Sequence, residues 1–112
     1  MKVAVIGSRS LEVDISSYIP KEAVEIISGG AEGIDAIAER YADEHKLSKH
    51  IIRPRYDLHK RGAPIVRNKR IVDEADLVLA FWDGVSKGTK SVIDYAEKVG
   101  KPVQVIQIQR EQ

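Results

Sequence analysis

The densest chemistry in the sequence lies in residues 83–89, DGVSKGT. Its G-x-S-x-G pattern, centred on Ser86, matches the turn that presents a nucleophilic serine in α/β-hydrolases. A glycine-containing loop ahead of a helix is also a common way to hold a phosphate group. The hydrolase order requires an acid and then a histidine after the serine. Asp94 follows Ser86 but all three histidines precede it, so we expect this loop to hold a ligand rather than to attack one.

Two further loops of the same kind follow apolar runs: residues 7–9, GSR, and residues 28–33, SGGAEG. Glycine lets backbone N–H groups approach an anion, a helix start leaves N–H groups unpaired, and hydroxyl side chains add donors. One such loop is ordinary turn chemistry, whereas three at one sheet edge favour a binding site. The candidate ligand-binding residues are Gly7, Ser8, Arg9, Ser28, Gly29, Gly30, Ala31, Gly33, Arg67, Asn68, Trp82, Asp83, Gly84, Ser86, Gly88 and Thr89.

Acidic and amide side chains near these loops leave two interpretations open. Glu32 and Asp35 stabilise a helix start through its dipole, but they would repel a phosphate placed directly above them. They face a ribose hydroxyl or tie down a neighbouring loop, and the structural role is favoured for Asp35. Asn68 interrupts an apolar stripe that includes Ile65 and Val72. Its amide needs partners, which are either in the loop after strand 4 or in a ligand.

Arginine and aromatic side chains near the loops are equally open to two roles. Arg67 either supplies charge to the crevice or lies on the surface beside Asn68. Trp82 and Tyr56 could each stack on a base; core packing is the favoured role of Trp82, and that of Tyr56 stays open. No loop has the Walker A or the strict G-x-G-x-x-G spacing, and the histidines show no metal-ligand spacing. We therefore predict no metal and no resident cofactor.

The elements that position these residues follow from the hydrophobic pattern. Short apolar runs predict strands at residues 2–6, 23–27, 50–53, 76–81 and 102–108. Apolar stripes predict helices within residues 32–47, from Pro64 to about Ala75, and from an N-cap at Thr89 to Gly100, with a less regular helix within 12–22. This alternation indicates a single α/β domain. We predict a Rossmann-like, doubly wound, parallel five-stranded sheet with helices on both faces. With a strand order of 3-2-1-4-5, the loops after strands 1 and 4 flank the point where the order reverses.

Composition and charge narrow the class of partner. The 112 residues are 43% hydrophobic and 31% charged, with no cysteine and no apolar stretch of membrane-spanning length. A cytoplasmic protein without a membrane role is expected. Residues 53–70 hold seven basic residues and one acid, a net charge of +6, whereas the other residues hold eleven bases and sixteen acids, a net charge of −5. A local basic segment suits a small anion better than a nucleic acid, although a solvated basic loop is an equal alternative.

The loops together resemble the SLOG superfamily, a Rossmann-like group that includes the DNA-processing protein DprA (Smf) and the LOG cytokinin-activating phosphoribohydrolases. Residues 28–35, SGGAEGID, resemble the DprA-type glycine motif. Residues 67–89, RNKRIVDEADLVLAFWDGVSKGT, resemble the small stand-alone YspA/YpsA-related branch, in which an Arg-Asn pair precedes strand 4 and a Gly-Thr loop follows it. GSR at 7–9 fits as well, so the resemblance covers nearly the whole chain.

The resemblance implies a fold of five strands and a nucleotide or nucleotide-derived ligand. The LOG enzymes carry P-G-G-x-G-T-x-x-E with a catalytic glutamate; Gly88-Thr89 and Arg67 match, but Val92 stands at the glutamate position. The leading hypothesis is therefore a sensor or sequestering module, not an enzyme. The alternatives are a nucleoside-monophosphate phosphoribohydrolase, with a carboxylate from Asp83, Asp35 or Glu32, and DprA-like single-stranded DNA binding. The resemblance also suggests a homodimer.

Overall fold

The computed structural model describes residues 1–108 and contains one sheet of five parallel strands. The strands are β1 (Lys2–Gly7), β2 (Glu25–Ser28), β3 (Ser48–Ile51), β4 (Leu77–Trp82) and β5 (Val103–Gln107). Their order is β3-β2-β1-β4-β5. The α-helices are α1 (Ile34–Glu44), α2 (Tyr56–His59), α3 (Ala63–Glu74) and α4 (Lys87–Lys98). The predicted fold class and strand order are confirmed.

Strands β1 and β4 lie side by side and are buried on both faces. Val3 and Val5 of β1 pack with α1 and the segment 11–19 on one face of the sheet. Ala4 and Ile6 pack with α3 and α4 on the other face. Because successive side chains of a strand point to opposite faces, both sets must be apolar. This double burial explains why the sequence of β1 reads as a continuous apolar run.

The chain between β1 and β2 differs from the prediction. The helix expected within residues 12–22 is only a 3-10 turn, Ser16–Tyr18. The Asp14 carboxylate accepts a hydrogen bond from the Ser16 N–H at 3.0 Å, a local contact that competes with helix formation. Pro20 cannot continue a helix. No α-helix therefore begins at the loop after β1, which removes one of the expected helix starts.

Two strands have bounds that differ from the prediction by two residues, whereas the bounds of the other three agree within one residue. Strand β2 is Glu25–Ser28 instead of residues 23–27, and β3 is Ser48–Ile51 instead of residues 50–53. Glu25 lies opposite both Lys2 and Ser48. The neighbouring strands thus set these bounds, which local apolar runs cannot specify.

The sheet topology brings three loops to one edge. The chain leaves β1 toward β2 and leaves β4 toward β5, so the strand order reverses between these two central strands. Gly7 lies opposite Phe81, and the Ser8 N–H donates to the Phe81 carbonyl at 3.1 Å. A crevice at this reversal point is where open α/β sheets bind ligands. None of the helices within residues 1–108 is long and apolar enough to cross a membrane.

Candidate functional site

A cavity of about 470 Å³ lies at the carboxyl ends of β1, β2 and β4. All three predicted loops contribute to its wall, together with side chains of α3 and α4. Eleven of the predicted site residues line it: Gly7, Ser8, Arg9, Gly29, Ala31, Arg67, Asn68, Asp83, Ser86, Gly88 and Thr89. The topology thus collects residues from distant parts of the chain around one space.

The loop after β4 is held in shape by its own side chains. The Asp83 carboxylate accepts hydrogen bonds from the N–H groups of Val85 at 2.9 Å and Ser86 at 2.8 Å. The Ser86 hydroxyl accepts from the Thr89 N–H at 3.4 Å and donates to the Thr89 hydroxyl at 3.3 Å. Ser86, not Thr89, is therefore the N-cap of α4, because the helix begins one residue after Ser86.

The start of α4 leaves backbone donors at the cavity. Within residues 1–108, no hydrogen bond occupies the N–H of Gly88, which lines the cavity. A Cβ at Gly88 would meet no atom within 4 Å, so this glycine is not required by packing. The positive end of the helix dipole adds to the attraction that this N–H group exerts on an anion.

The loop after β1 is joined to the loop after β4. The buried Ser8 hydroxyl accepts a hydrogen bond from the Asp83 N–H at 3.2 Å. A Cβ at Gly7 would lie 2.5 Å from Cγ1 of Ile34 and 2.8 Å from the Phe81 carbonyl oxygen. Gly7 is thus required by the packing of α1 on the sheet, and Ser8 positions the neighbouring loop.

The loop after β2 differs from the expectation that its N–H groups face a ligand. The carboxylate of Asp35, in the first turn of α1, accepts hydrogen bonds from the N–H groups of Gly29 at 3.0 Å and Ala31 at 3.3 Å. Asp35 is only 5% exposed. Burial raises the pKa of Asp35 from 3.8, and its two backbone hydrogen bonds act in the opposite direction. The structural role favoured for Asp35 is therefore present.

Arg67 contacts the same loop from the other side. Its Nη1 donates to the Gly29 carbonyl at 2.8 Å, and its Nε donates to the side-chain oxygen of Asn68 at 2.9 Å. Burial lowers the pKa of Arg67; the nearby Asp35 opposes this shift, and Arg9 adds to it. A Cβ at Gly29 would lie 2.7 Å from Nη1 of Arg67 and 2.9 Å from Oδ2 of Asp35. Only glycine at position 29 leaves room for both charged groups to bond to its backbone.

Asn68 and Ile65 depart from the stripe that predicted a buried amide. Ile65 is 54% exposed, so the buried face of α3 is formed by other apolar residues, including Ile71 and Val72. Asn68 is half-buried and lines the cavity. Its amide oxygen accepts from Arg67, which makes it a partner of the arginine rather than of the loop after β4.

The remaining predicted site residues lie outside the cavity wall: Ser28, Gly30, Gly33, Trp82 and Gly84. Gly30, Gly33 and Gly84 have positive φ angles of 73°, 70° and 87°, which favour glycine. The Ser28 hydroxyl donates to Glu39 at 3.1 Å. The Trp82 ring N–H donates to the Ser86 carbonyl at 3.0 Å, and Trp82 packs on the core. These contacts support the loops and not the cavity surface.

Comparison with curated proteins identifies a relative of this chain in a phage. No family model and no solved structure matches this chain. Among curated proteins, it is 34% identical over 84 residues to the Gene 61 protein of Mycobacterium phage D29. The match covers 70% of this chain and 67% of the phage protein. The chain belongs to the Gene 61 protein family. The name Gene 61 states no activity or ligand, so the function of this family member is argued from its site.

The cavity of this Gene 61 family member also has a wall that sequence reasoning missed. Ile6, Ile71 and Val92 are at most 6% exposed and line it with apolar surface. Each falls on a core-facing position, so the hydrophobic pattern cannot distinguish a cavity wall from ordinary core. Val92 had one signal, since it follows Thr89 by three residues and therefore shares its helix face. Glu32, named earlier as a candidate carboxylate, does not line the cavity.

Proposed function

We propose that this protein binds a nucleotide or nucleotide-derived small molecule in the cavity, as a cytoplasmic sensor or sequestering module. The observation that carries the proposal is the convergence of two arginines and an unoccupied helix start on one cavity. The volume of about 470 Å³ falls within the roughly 300–1,000 Å³ typical of small-ligand sites. An apolar wall with a few polar groups is also typical of such sites.

The anionic end of the ligand belongs at the start of α4. The N–H group of Gly88, which lines the cavity, is without a hydrogen bond in the described part of the chain. Arg67 lines the same cavity, and Arg9 is close enough to depress its pKa. An anion bound between the two arginines reduces the repulsion between their positive charges, so a phosphate group is the favoured occupant.

The SLOG resemblance supports a nucleotide over other phosphorylated molecules. The motifs that carry it are the loops at the cavity, and the resemblance implies nucleotide-derived ligands. Arg67, which matches the LOG arginine, lies in the cavity wall. The base stays undetermined, because backbone N–H groups and arginines recognise phosphate alone.

A binding screen tests the proposal. Calorimetry and thermal shift with nucleoside mono- and diphosphates and ADP-ribose-type compounds should find at least one ligand. An Arg67→Gln variant should bind that ligand about tenfold or more weakly, because a charge-assisted hydrogen bond contributes roughly 1.5–3 kcal/mol. Arg40→Gln, on α1 and outside this cavity, is the matched control. If no compound gives a heat of binding and none raises the unfolding temperature, the proposal is refuted.

Phosphoribohydrolase activity is the second candidate, and one observation favours it. Asp35 is a buried carboxyl with a raised pKa in a cavity wall, which is a common property of catalytic acids. Val92 lines the cavity where the LOG motif has its glutamate, which weighs against the reaction. Release of free base from AMP, lost in Asp35→Asn, would establish the activity; its absence leaves binding alone.

Single-stranded DNA binding is less supported, because the basic segment is largely engaged within the chain. Four of its seven basic residues bond to the protein itself: Arg53, Arg55, Arg67 and Arg70. Gel retention that collapses between low and moderate salt would indicate DNA binding. The homodimer stays a prediction, which light scattering in solution tests.

A further inference from the structure

The two carboxylate oxygens of Asp35 differ in their hydrogen bonding. Both of its hydrogen bonds to the loop after β2 use the same atom, Oδ2. Oδ1 accepts no hydrogen bond among the described residues, and Asp35, which is 5% exposed, lines the cavity. An ionised carboxylate has acceptor sites on both oxygens, so Oδ1 can accept a hydrogen bond from a ligand in the cavity. The site thus contains an acceptor that lacks a donor.

The same carboxylate prevents phosphate binding at the loop after β2. It occupies the N–H groups of Gly29 and Ala31, which are the donors that a phosphate would need there. Its charge adds repulsion. On the β4 side the Asp83 carboxylate likewise occupies the N–H groups of Val85 and Ser86. The N–H of Gly88 has no hydrogen bond among the described residues, so the start of α4 is where the anion is placed.

The spacing of the sheet gives the approximate span of a ligand that contacts both the loop bonded to Asp35 and the loop after β4. The loop after β2 and the loop after β4 flank the central strand β1, so they are two strand spacings apart. Two spacings are about 10 Å. A ribose 5-phosphate spans this distance when a hydrogen bond of about 2.8 Å forms at each end. A base amine lies farther from the phosphate than the sugar hydroxyls do.

We infer that Asp35 is a specificity-determining residue: its Oδ1 accepts a hydrogen bond from a ribose hydroxyl, so the site selects ribonucleotides over deoxyribonucleotides. This inference rests on the proposed function and names the class of nucleotide. Asp35 also positions the site, because its Oδ2 accepts from the N–H of Gly29, and the carbonyl oxygen of the same residue accepts from Arg67.

Asp35→Asn tests the inference with little disturbance of the loop. The asparagine oxygen can replace Oδ2 and accept both backbone hydrogen bonds, which turns an acceptor at the Oδ1 position into an N–H donor. Asp43→Asn, on the same helix and outside the cavity, is the matched control. The ligands are the four common ribonucleoside 5′-monophosphates, their 2′-deoxy and 3′-deoxy forms, and inorganic phosphate, all measured by calorimetry.

Wild-type protein should bind at least one ribonucleotide about tenfold or more tightly than one of its deoxy forms, the range for hydrogen bonds to charged groups. Asp35→Asn should abolish this preference and bind inorganic phosphate no more weakly than wild type, whereas Asp43→Asn should retain it. Equal affinity of wild type for ribo and deoxy forms would overturn the inference and leave the proposed function intact. No binding of any nucleotide would overturn both. The wild-type comparison decides the matter even if Asp35→Asn does not fold.

Discussion

The loops after β2 and β4 are similar in sequence and opposite in behaviour. Both are glycine-containing, both lie at the same edge of the sheet, and both lead into an α-helix. The loop after β2 satisfies its N–H groups with the Asp35 carboxylate. The loop after β4 uses Asp83 and Ser86 for its turn and leaves the N–H of Gly88 to the cavity. Glycine in the first loop serves internal packing, whereas Gly88 in the second has no packing constraint.

This difference teaches that a glycine pattern alone does not identify a phosphate-binding loop. What matters is which N–H groups the carboxylates of the protein occupy. Asp83 occupies those of the turn ahead of α4, and α4 has no acid in its first turn, so the N–H of Gly88 is left. An acid two residues into α1 occupies the N–H groups of Gly29 and Ala31. The following predictions test this contrast.

The largest effect is expected in the loop after β2. Gly33→Ala should lower the free energy of unfolding by about 3 kcal/mol, the sum of overpacking and positive-φ strain. A Cβ there would lie 2.4 Å from the Arg9 carbonyl oxygen, and φ is 70°. Urea unfolding measures the loss. Gly100→Ala, with φ of 74° and open space, is the control for strain alone and should lose only about 1 kcal/mol. Equal losses would mean that the close approach of Arg9 is unimportant.

The next effect separates stability from binding in the loop after β4. Gly88→Ala should raise the free energy of unfolding by about 0.5 kcal/mol through helix propensity. It should also lower the affinity for phosphate-containing ligands about tenfold or more, because a helical Cβ tilts toward the N-terminus, where the anion would lie. Gly62→Ala, also in open space but outside the cavity, should leave binding unchanged. Retained affinity in Gly88→Ala would contradict the anion position.

The N-cap gives a smaller effect. Ser86→Ala removes the acceptor of the Thr89 N–H and should cost about 1 kcal/mol of stability. Thr89→Val should cost less, because the hydroxyl of Thr89 is not the cap. Thermal unfolding of the two variants compares them. A larger loss for Thr89→Val would restore Thr89 as the cap residue.

The smallest effect is a pH dependence that belongs to the loop after β2. The folded-state pKa of Asp35 lies above 3.8, so the folded state binds its proton more tightly than the unfolded state. Linkage then requires that this residue's contribution to stability falls as pH rises from 3.8 through the folded-state pKa. As pH rises across that range, wild type should therefore lose free energy of unfolding relative to Asp35→Asn. A shift in the opposite direction would contradict a raised pKa.

Local pattern predicted much of this architecture and some of the site. The apolar runs predicted five strands, because strands buried on both faces must be apolar throughout. The helix in residues 12–22 and the bounds of β2 and β3 were wrong, because a local side-chain contact and strand pairing decide them. The N-cap of α4 was wrong by three residues, since Ser86 and Thr89 are both good caps and only the helix start distinguishes them.

The sequence alone determined the order of elements, the parallel sheet and the edge at which the loops meet. These follow from hydrophobic period and from the connections between parallel strands, which place the carboxyl ends of all strands at one edge. Only the tertiary structure decided which loop keeps free donors. The Asp35 carboxylate accepts hydrogen bonds from the N–H groups of Gly29 and Ala31 at 3.0 and 3.3 Å. Arg67, on a helix 38 residues farther along the chain, donates to the carbonyl oxygen of Gly29. Hydrogen bonds act over such short distances that their partners depend on the packed positions of side chains, which a one-dimensional pattern does not contain.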